Sequence, residues 1–168
     1  MARLRPNEGA IAWASDYLPG IKFATSPQRP PLTYEKSSFD VVYAISIWSH
    51  FAERAALRWL AEMRRILRPG GHLLLTTHGH SSIDFHARTG QRPDSQLREI
   101  ALALRDSGFW YRPEFGEKGD HGVASPEWGT AFLDPAWLRA RAEPAWEMLA
   151  CHPARNAGNQ DVIVLQRR

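Results

Sequence analysis

Hydrophobic and polar positions change their period along the chain, and the changes mark secondary-structure elements. Residues 39 to 47 are a nearly continuous apolar and β-branched run, which is typical of a strand covered on both faces in a parallel sheet. Between Ala52 and Arg68 the apolar residues recur at helical spacing, with charged residues on the opposite face. Pro69 and the two glycines after it end this helix, and residues 72 to 77 form a second apolar strand. The order predicts a right-handed βαβ crossover with parallel strands over residues 38–79.

Weaker patterns predict the remaining elements around this unit. A single α/β domain of residues 1–168 is expected, with a Rossmann-like mixed sheet built from the strands that begin at Phe39, His72, Trp146 and Asp161 and flanked by helices. The other predicted elements are a helix over Glu8 to Leu18, a strand over Ile21 to Thr25, a helix from Asp94 to Gly108, a helix from Asp134 to Arg141, and an antiparallel pair at Trp146 to Cys151 and Asp161 to Leu165.

Residues 111–132 show little periodicity and are rich in glycine, proline and charge. Irregular segments of this length are uncommon in compact domains and are often functional. The segment is therefore predicted to be a long loop or lid.

Composition narrows the class of protein. The single cysteine, Cys151, excludes an internal disulfide framework and is expected to be a small buried hydrophobe. The net charge of +3 is spread along the chain without a run of like charges, so nucleic acid is not expected as a partner. No apolar run approaches the ~20 residues of a membrane-spanning helix, and a cytoplasmic location is expected.

Two stretches carry a family resemblance. The run SFDVVYAISIWSHF, followed by a helix that ends in LAEMRRILRPGGHLLLTTHG, resembles the fourth and fifth strands of class I S-adenosylmethionine-dependent methyltransferases. The proline-rich segment from Arg29 to Tyr34 and the terminal Asn159-Gln160-Asp161 strand are similar to flanking parts of that fold. The resemblance implies a methyltransferase, S-adenosyl-L-methionine as cofactor, and a small-molecule methyl acceptor as partner.

The chain departs from the family at its amino end. The family's Gly-x-Gly-x-Gly turn is not in the sequence, and Arg3, Leu4 and Arg5 stand where an acidic residue would bind the ribose. The first two family strands are therefore expected to be missing, with weak or no cofactor binding by this chain alone. Another chain or an upstream segment would then complete the sheet. The alternative is a non-catalytic scaffold or partner subunit with the same fold.

By the resemblance, Ser46, Ile47 and Trp48 at the carboxyl end of the fourth strand face the cofactor. Packing of Ile47 and Trp48 against the next helix is the equal alternative. Thr25 and Ser26 follow the strand at Ile21 to Thr25, where the family contacts adenine, although a solvated turn is favoured here.

Two histidines are candidates for contact with the methyl acceptor. His50 faces the substrate or caps the next helix, and His78 borders the substrate cleft. No catalytic residue is assigned, because methyl transfer mainly requires alignment of the reacting groups.

A third hypothesis is a metallohydrolase that binds a metal through His78, His80, Asp84 and His86. The spacing fits poorly, because Ser82 and Ile83 occupy positions where a His-x-His-x-Asp-His motif has aspartate and histidine.

Overall fold

The computed structural model describes residues 2–5, 8–115, 119–120 and 122–168. The helices are α1 Glu8–Tyr17, α2 Glu53–Ile66, α3 His80–Thr89, α4 Asp94–Ser107 and α5 Pro135–Ala142. The strands are β1 Ala2–Arg5, β2 Lys22–Thr25, β3 Phe39–Ala44, β4 Leu67–Thr77, β5 Phe109–Arg112, β6 Thr130–Leu133, β7 Trp146–Asn156 and β8 Gln160–Arg167.

The main sheet has four strands in the order β3-β4-β8-β7. β3 and β4 run parallel, with Val42 beside Leu73 and Ala44 beside Leu75, and α2 connects them. β8 is antiparallel to both β4 and β7. These pairings confirm the predicted crossover, the predicted antiparallel pair and the mixed α/β sheet.

One face of this sheet carries the core. The buried stripe of α2, which includes Ala56, Leu60 and Met63, packs with inward residues of β4 and β8 such as Leu73 and Ile163. Leu138 of α5 belongs to the same buried cluster, so both helices cover one face of the sheet. Burial of this apolar stripe is the main favourable term that fixes the crossover.

The prediction that both faces of β3 are covered is wrong. Val42 and Ala44 pack against the core, whereas the alternate residues Val41, Tyr43 and Ile45 are 52%, 49% and 51% exposed. Successive side chains of a strand point to opposite faces, so only every second residue of β3 is buried. The residues on the exposed face are apolar as well, and this is why the sequence predicted a strand covered on both faces.

A strand precedes the first helix, where the sequence pattern predicted none. β1 pairs in parallel with β2, with Arg5 beside Thr25, and α1 connects them. β1 alternates apolar residues and arginines over only four residues, which is too short to predict a strand. The expectation that nothing remains of the strand before Ile21 to Thr25 is corrected, although among the described residues this pair is not hydrogen-bonded to the main sheet.

Three further differences concern one unpredicted helix and the boundaries of other elements. α3 was not predicted, because its polar His-Ser-Ser start gives little helical periodicity. β4 begins at Leu67, so the Pro-Gly-Gly bend lies inside its span rather than before it. The ends of the 111–132 segment belong to β5 and β6, an antiparallel pair, whereas its central part contains turns and isolated bridges. The lid role of this segment stays a prediction.

Candidate functional site at the carboxyl edge of the sheet

Three strands of the main sheet bring polar groups to one edge. The parallel strands β3 and β4 both end there, and the antiparallel β8 begins there, with Asp161 beside Thr77. Ser46 follows β3, Thr76 is near the end of β4, and Gln160 is the first residue of β8. The carboxyl edge of an open α/β sheet is where such folds bind ligands.

Gln160 is the centre of a buried hydrogen-bond network at this edge. Its side-chain Oε1 accepts from Thr76 Oγ1 at 2.6 Å and from Asn156 Nδ2 at 3.2 Å. Its Nε2 donates to Ser46 Oγ at 2.6 Å and lies 3.4 Å from Ser49 Oγ. The residue is 6% exposed, so these partners replace water for a carboxamide that would otherwise be costly to bury.

Ser46 has an unusual backbone conformation. Its φ of 56° lies in the left-handed region, which non-glycine residues rarely occupy. The conformation is held from both ends, because the backbone N–H of Ser46 donates to Thr76 Oγ1 at 2.8 Å while its hydroxyl accepts from Gln160. Strained residues that the surroundings over-determine are frequent at ligand sites.

Residues 129–133 join the turns that follow β3 and β4. Ala131 N–H donates to the Ser49 carbonyl at 2.8 Å, and Leu133 N–H donates to the His78 carbonyl at 2.9 Å. The same segment accepts from two histidines: Nδ1 of His50 lies 2.8 Å from the Gly129 carbonyl, and Nδ1 of His78 lies 3.2 Å from the Ala131 carbonyl. Because a carbonyl only accepts, each Nδ1 carries a proton, and Nε2 of a ring that is neutral is an acceptor.

His78 is neutral at physiological pH. Burial lowers its pKa to about 4, the Ala131 carbonyl opposes this shift, and repulsion from His50, His86 and Arg92 when they carry a positive charge adds to it. Its Nε2 lies 3.4 Å from Nε2 of Gln160, which places a donor opposite this acceptor. His78 therefore presents a fixed hydrogen-bond acceptor at the edge.

A second polar group lies behind His78, and no sequence pattern pointed to it. Arg92 pairs with Glu114 at 3.1 Å, and Glu114 accepts from the Thr130 hydroxyl at 2.5 Å. Arg92 also lies over the Phe132 ring, 5.8 Å from its centroid. Hydrogen bonds from Thr130 and Arg92 lower the pKa of Glu114, although burial alone would raise it. Arg92 precedes α4, Glu114 follows β5 and Thr130 begins β6, so only the folded chain brings them together.

The structure places the other predicted site residues as follows. Trp48 is 1% exposed and packs edge-on against Phe51 with ring centroids 5.6 Å apart, and Ile47 lies half-buried against the same core. His50 stacks on Trp128 with centroids 4.6 Å apart, and it does not cap α2, whose N-cap is Ala52. Thr25 is exposed at the end of β2, and the next residue, Ser26, donates to the Pro27 carbonyl.

The histidines of the metallohydrolase hypothesis do not converge. Nε2 of His80 lies 3.0 Å from Asp134 Oδ2, while His78 faces Ala131. Within residues 8–115 and the other described ranges, no group of three or more metal-ligating side chains could hold an ion. Nor is any helix of the described chain long and apolar enough to cross a membrane.

Residues 4–75 match the family described as methyltransferase domain. No curated protein matches the chain in sequence.

Solved structures share the fold at low sequence identity. A SAM-dependent methyltransferase from Methanosarcina mazei is 18% identical, with 99% of this chain and 81% of that chain covered and a TM-score of 0.64. An S-adenosylmethionine-dependent methyltransferase from Mesorhizobium loti is 14% identical, with coverages of 99% and 79% and a TM-score of 0.62. The 1,6-didemethyltoxoflavin-N1-methyltransferase from Burkholderia thailandensis, solved with S-adenosylhomocysteine, is 13% identical, with coverages of 99% and 60% and a TM-score of 0.59. The chain therefore has the fold of S-adenosylmethionine-dependent methyltransferases, and its residues 4–75 are similar to the methyltransferase-domain family.

Proposed function

We propose that this domain binds S-adenosyl-L-methionine at the carboxyl edge of β3 and β4 and serves methyl transfer to a small-molecule acceptor. The observation that carries the proposal is Ser46, held in the left-handed conformation by Thr76 and Gln160 at the end of β3. Several proteins of the same fold are methyltransferases, and one of them is described with S-adenosylhomocysteine and a small-molecule acceptor.

The residues present fit part of the cofactor. The half-buried Ser46 hydroxyl accepts a hydrogen bond from Gln160. No described residue accepts the proton of this hydroxyl, so the hydroxyl can donate to the carboxylate of the cofactor's methionine part. The sequence has neither a Gly-x-Gly-x-Gly turn nor a carboxylate for the ribose at the end of β1, where Arg5 lies beside Thr25 of β2 in the strand register. Thr25 and Ser26 are the remaining candidates on the adenine side. We therefore propose weak binding by this chain alone.

The bound cofactor would supply an electrophilic methyl group on a sulfonium. The chain's own residues orient the acceptor and exclude water. His50, Trp128 and Phe115 form a partly buried aromatic group beside the edge, with His50 and Phe115 centroids 5.8 Å apart. Such a wall suits an apolar acceptor, and alignment of the reacting atoms is the main requirement of the reaction.

His50 and His78 are proposed to face the acceptor. The pKa of about 4 makes His78 a weak base at pH 7, so it orients an O–H or N–H of the acceptor through its Nε2 rather than removing the proton. The proton that methylation releases from the acceptor then passes to solvent.

The alternative is a non-catalytic scaffold or partner subunit with the same fold. Arg5 at the end of β1, where the family has its carboxylate, favours it, because an arginine supplies no acceptor for two ribose hydroxyls. The half-exposed face of β3 at Val41, Tyr43 and Ile45 also suits a chain in which another segment or protein covers this face of the sheet.

Isothermal titration of the full chain with S-adenosylhomocysteine tests the proposal. Ser46→Ala removes the hydroxyl at the edge. Ser37→Ala is the matched control, because Ser37 has the same φ of 56° but lies before β3, at the opposite end of the strand. We expect measurable binding by the wild type and by Ser37→Ala, and weakening of severalfold in Ser46→Ala, in line with the loss of one hydrogen bond of about 1 kcal/mol. Absence of binding heat up to the solubility limit would instead support the scaffold.

A further inference from the structure

The side chain of Gln160 is oriented by its own partners. Two donors, Thr76 Oγ1 and Asn156 Nδ2, point at Oε1. Because a carboxamide oxygen accepts and its nitrogen donates, this arrangement fixes which end faces which neighbour. The nitrogen is thereby directed at Ser46, Ser49 and His78.

A closed ring of hydrogen bonds then holds Ser46. Its backbone N–H donates to Thr76 Oγ1, the Thr76 hydroxyl donates to Gln160 Oε1, and Gln160 Nε2 donates back to Ser46 Oγ. The ring spans β3, β4 and β8, so it responds to the relative position of three strands. Networks of this kind are worth more than their separate bonds when every member is satisfied.

The second amide proton of Gln160 lies near two acceptors, because Nε2 is 3.4 Å from both Ser49 Oγ and His78 Nε2. The Ala131 carbonyl fixes the proton of His78 on Nδ1, which leaves Nε2 as the acceptor 3.4 Å from Gln160 Nε2. One carboxamide therefore contacts both the residue proposed to face the cofactor and a residue proposed to face the acceptor.

We propose that Gln160 is a positioning residue whose carboxamide fixes Ser46 in its left-handed conformation and His78 as the Nδ1-protonated tautomer, which couples the cofactor side of the cleft to the acceptor side. The proposal deepens the proposed function and rests on it for the identity of the two sides. The hydrogen-bond network itself does not depend on any ligand.

Gln160→Glu tests this role with almost no change in volume. A carboxylate has no proton to donate to Ser46 Oγ or His78 Nε2, and it attracts a proton onto His78 instead. The other groups near His78 are His50, His86, Arg92 and the Ala131 carbonyl, and none is changed by the substitution. We expect the pKa of His78 to rise by about 1–3 units and the imidazolium to appear at higher pH.

Gln166→Glu is the matched control. Gln166 lies on the same strand, beside His72 in the register, and its Nε2 is also 3.4 Å from a histidine Nε2. It belongs to the opposite end of β8. The control therefore introduces the same carboxylate against the same kind of partner without touching the proposed site.

The measurement is ¹⁵N–¹H NMR of the histidine rings and the Ser46 amide across a pH series, followed by titration with S-adenosylhomocysteine. We expect Gln160→Glu to change the His78 tautomer and the Ser46 amide shift and to weaken S-adenosylhomocysteine about tenfold, and Gln166→Glu to do none of these. Unchanged His78 and Ser46 signals in Gln160→Glu would overturn the positioning role. Changed signals with unchanged affinity would overturn the coupling.

A failure of the proposed function gives a different result in these measurements. If the wild type does not bind S-adenosylhomocysteine, the methyltransferase proposal fails, whereas the ligand-free His78 and Ser46 signals still decide whether Gln160 positions them.

Discussion

The carboxylate of Glu62 accepts a hydrogen bond from the backbone N–H of Leu32 at 2.8 Å and so ties α2 to the segment that leads into β3. Arg65 completes the connection: it donates to Glu62 at 2.6 Å and to the carbonyls of Tyr34 and Leu32 at 2.8 and 3.0 Å. Glu62 is 5% exposed although it lies on a helix rich in surface charge. The sequence places it among outward-facing residues, and only the fold shows that the proline-rich segment covers it.

Glu62→Ala is expected to lower the free energy of unfolding by about 2–3 kcal/mol, because it leaves the buried Leu32 N–H unpaired and releases Arg65. Chemical denaturation measures the effect. Glu53→Ala is the control, since the Glu53–Arg141 pair is about half exposed at both ends and should contribute little. Equal losses in the two variants would contradict the structural role of Glu62.

The contribution of Glu62 also depends on pH. Burial alone would raise its pKa, but the bonds from Arg65 and Leu32 lower it below the ordinary 4.5. A lowered carboxyl pKa gives stability that is present above pH 4.5 and is lost as the pH falls through the folded-state value. The stability difference between wild type and Glu62→Gln should therefore shrink below about pH 4.5, and a difference that stays constant would contradict this.

His78 also makes the stability depend on pH, here through a base whose pKa is lowered. Because burial lowers its pKa from 6.5 to about 4, the unfolded chain binds the proton more readily between these values. The folded state should lose about 3 kcal/mol as the pH falls from 6.5 to 4, and the loss should level off below that. His78→Gln should remove this component, as measured by denaturation at several pH values; an unchanged pH dependence would show that His78 is not buried as a neutral ring.

Two substitutions of Trp48 distinguish the contribution of packing to stability from that of hydrogen bonding. Its Nε1 has no hydrogen-bond partner among the described residues, although the side chain is almost fully buried. Trp48→Phe removes the unpaired donor and should change stability by about 1 kcal/mol or less, whereas Trp48→Ala should cost about 3–5 kcal/mol. Thermal denaturation distinguishes the two. A loss in Trp48→Phe as large as in Trp48→Ala would indicate a partner for the indole nitrogen.

The exposed face of β3 should promote self-association. Exposed apolar side chains on the outer strand of a sheet invite contact with other chains. Tyr43→Lys should reduce the concentration-dependent association that sedimentation velocity measures. Leu102→Lys is the control and should not reduce it, because Leu102 lies on α4 and its side chain is about equally exposed, at 50%. The same association in both variants would mean that the face of β3 is not responsible.

Local patterns predicted the main sheet well. The apolar run at residues 39–47, the periodic helix that followed and the strand at His72 define the crossover because each pattern is long and regular. β1 and α3 were missed, since one is very short and the other begins with polar residues.

The site was predictable only where residues follow a strand. Ser46 and His50 lie in the turn region after β3, and His78 follows β4, so the topology brings them to one edge. Gln160 lies in a run that predicts a strand but gives no signal for its side chain, and Arg92, Glu114 and Thr130 are far apart in the sequence. No local pattern contains the long-range contacts that give these residues their roles.

The most direct test of the central claim is chemical-shift mapping by NMR of the full chain as S-adenosylhomocysteine is added. The account predicts that the largest shifts occur at Ser46, Gln160 and His78, at the carboxyl ends of β3 and β4. Shifts confined to the open depression of about 680 Å³ lined by Gly108 and Trp137, which shares no residue with that network, would contradict it.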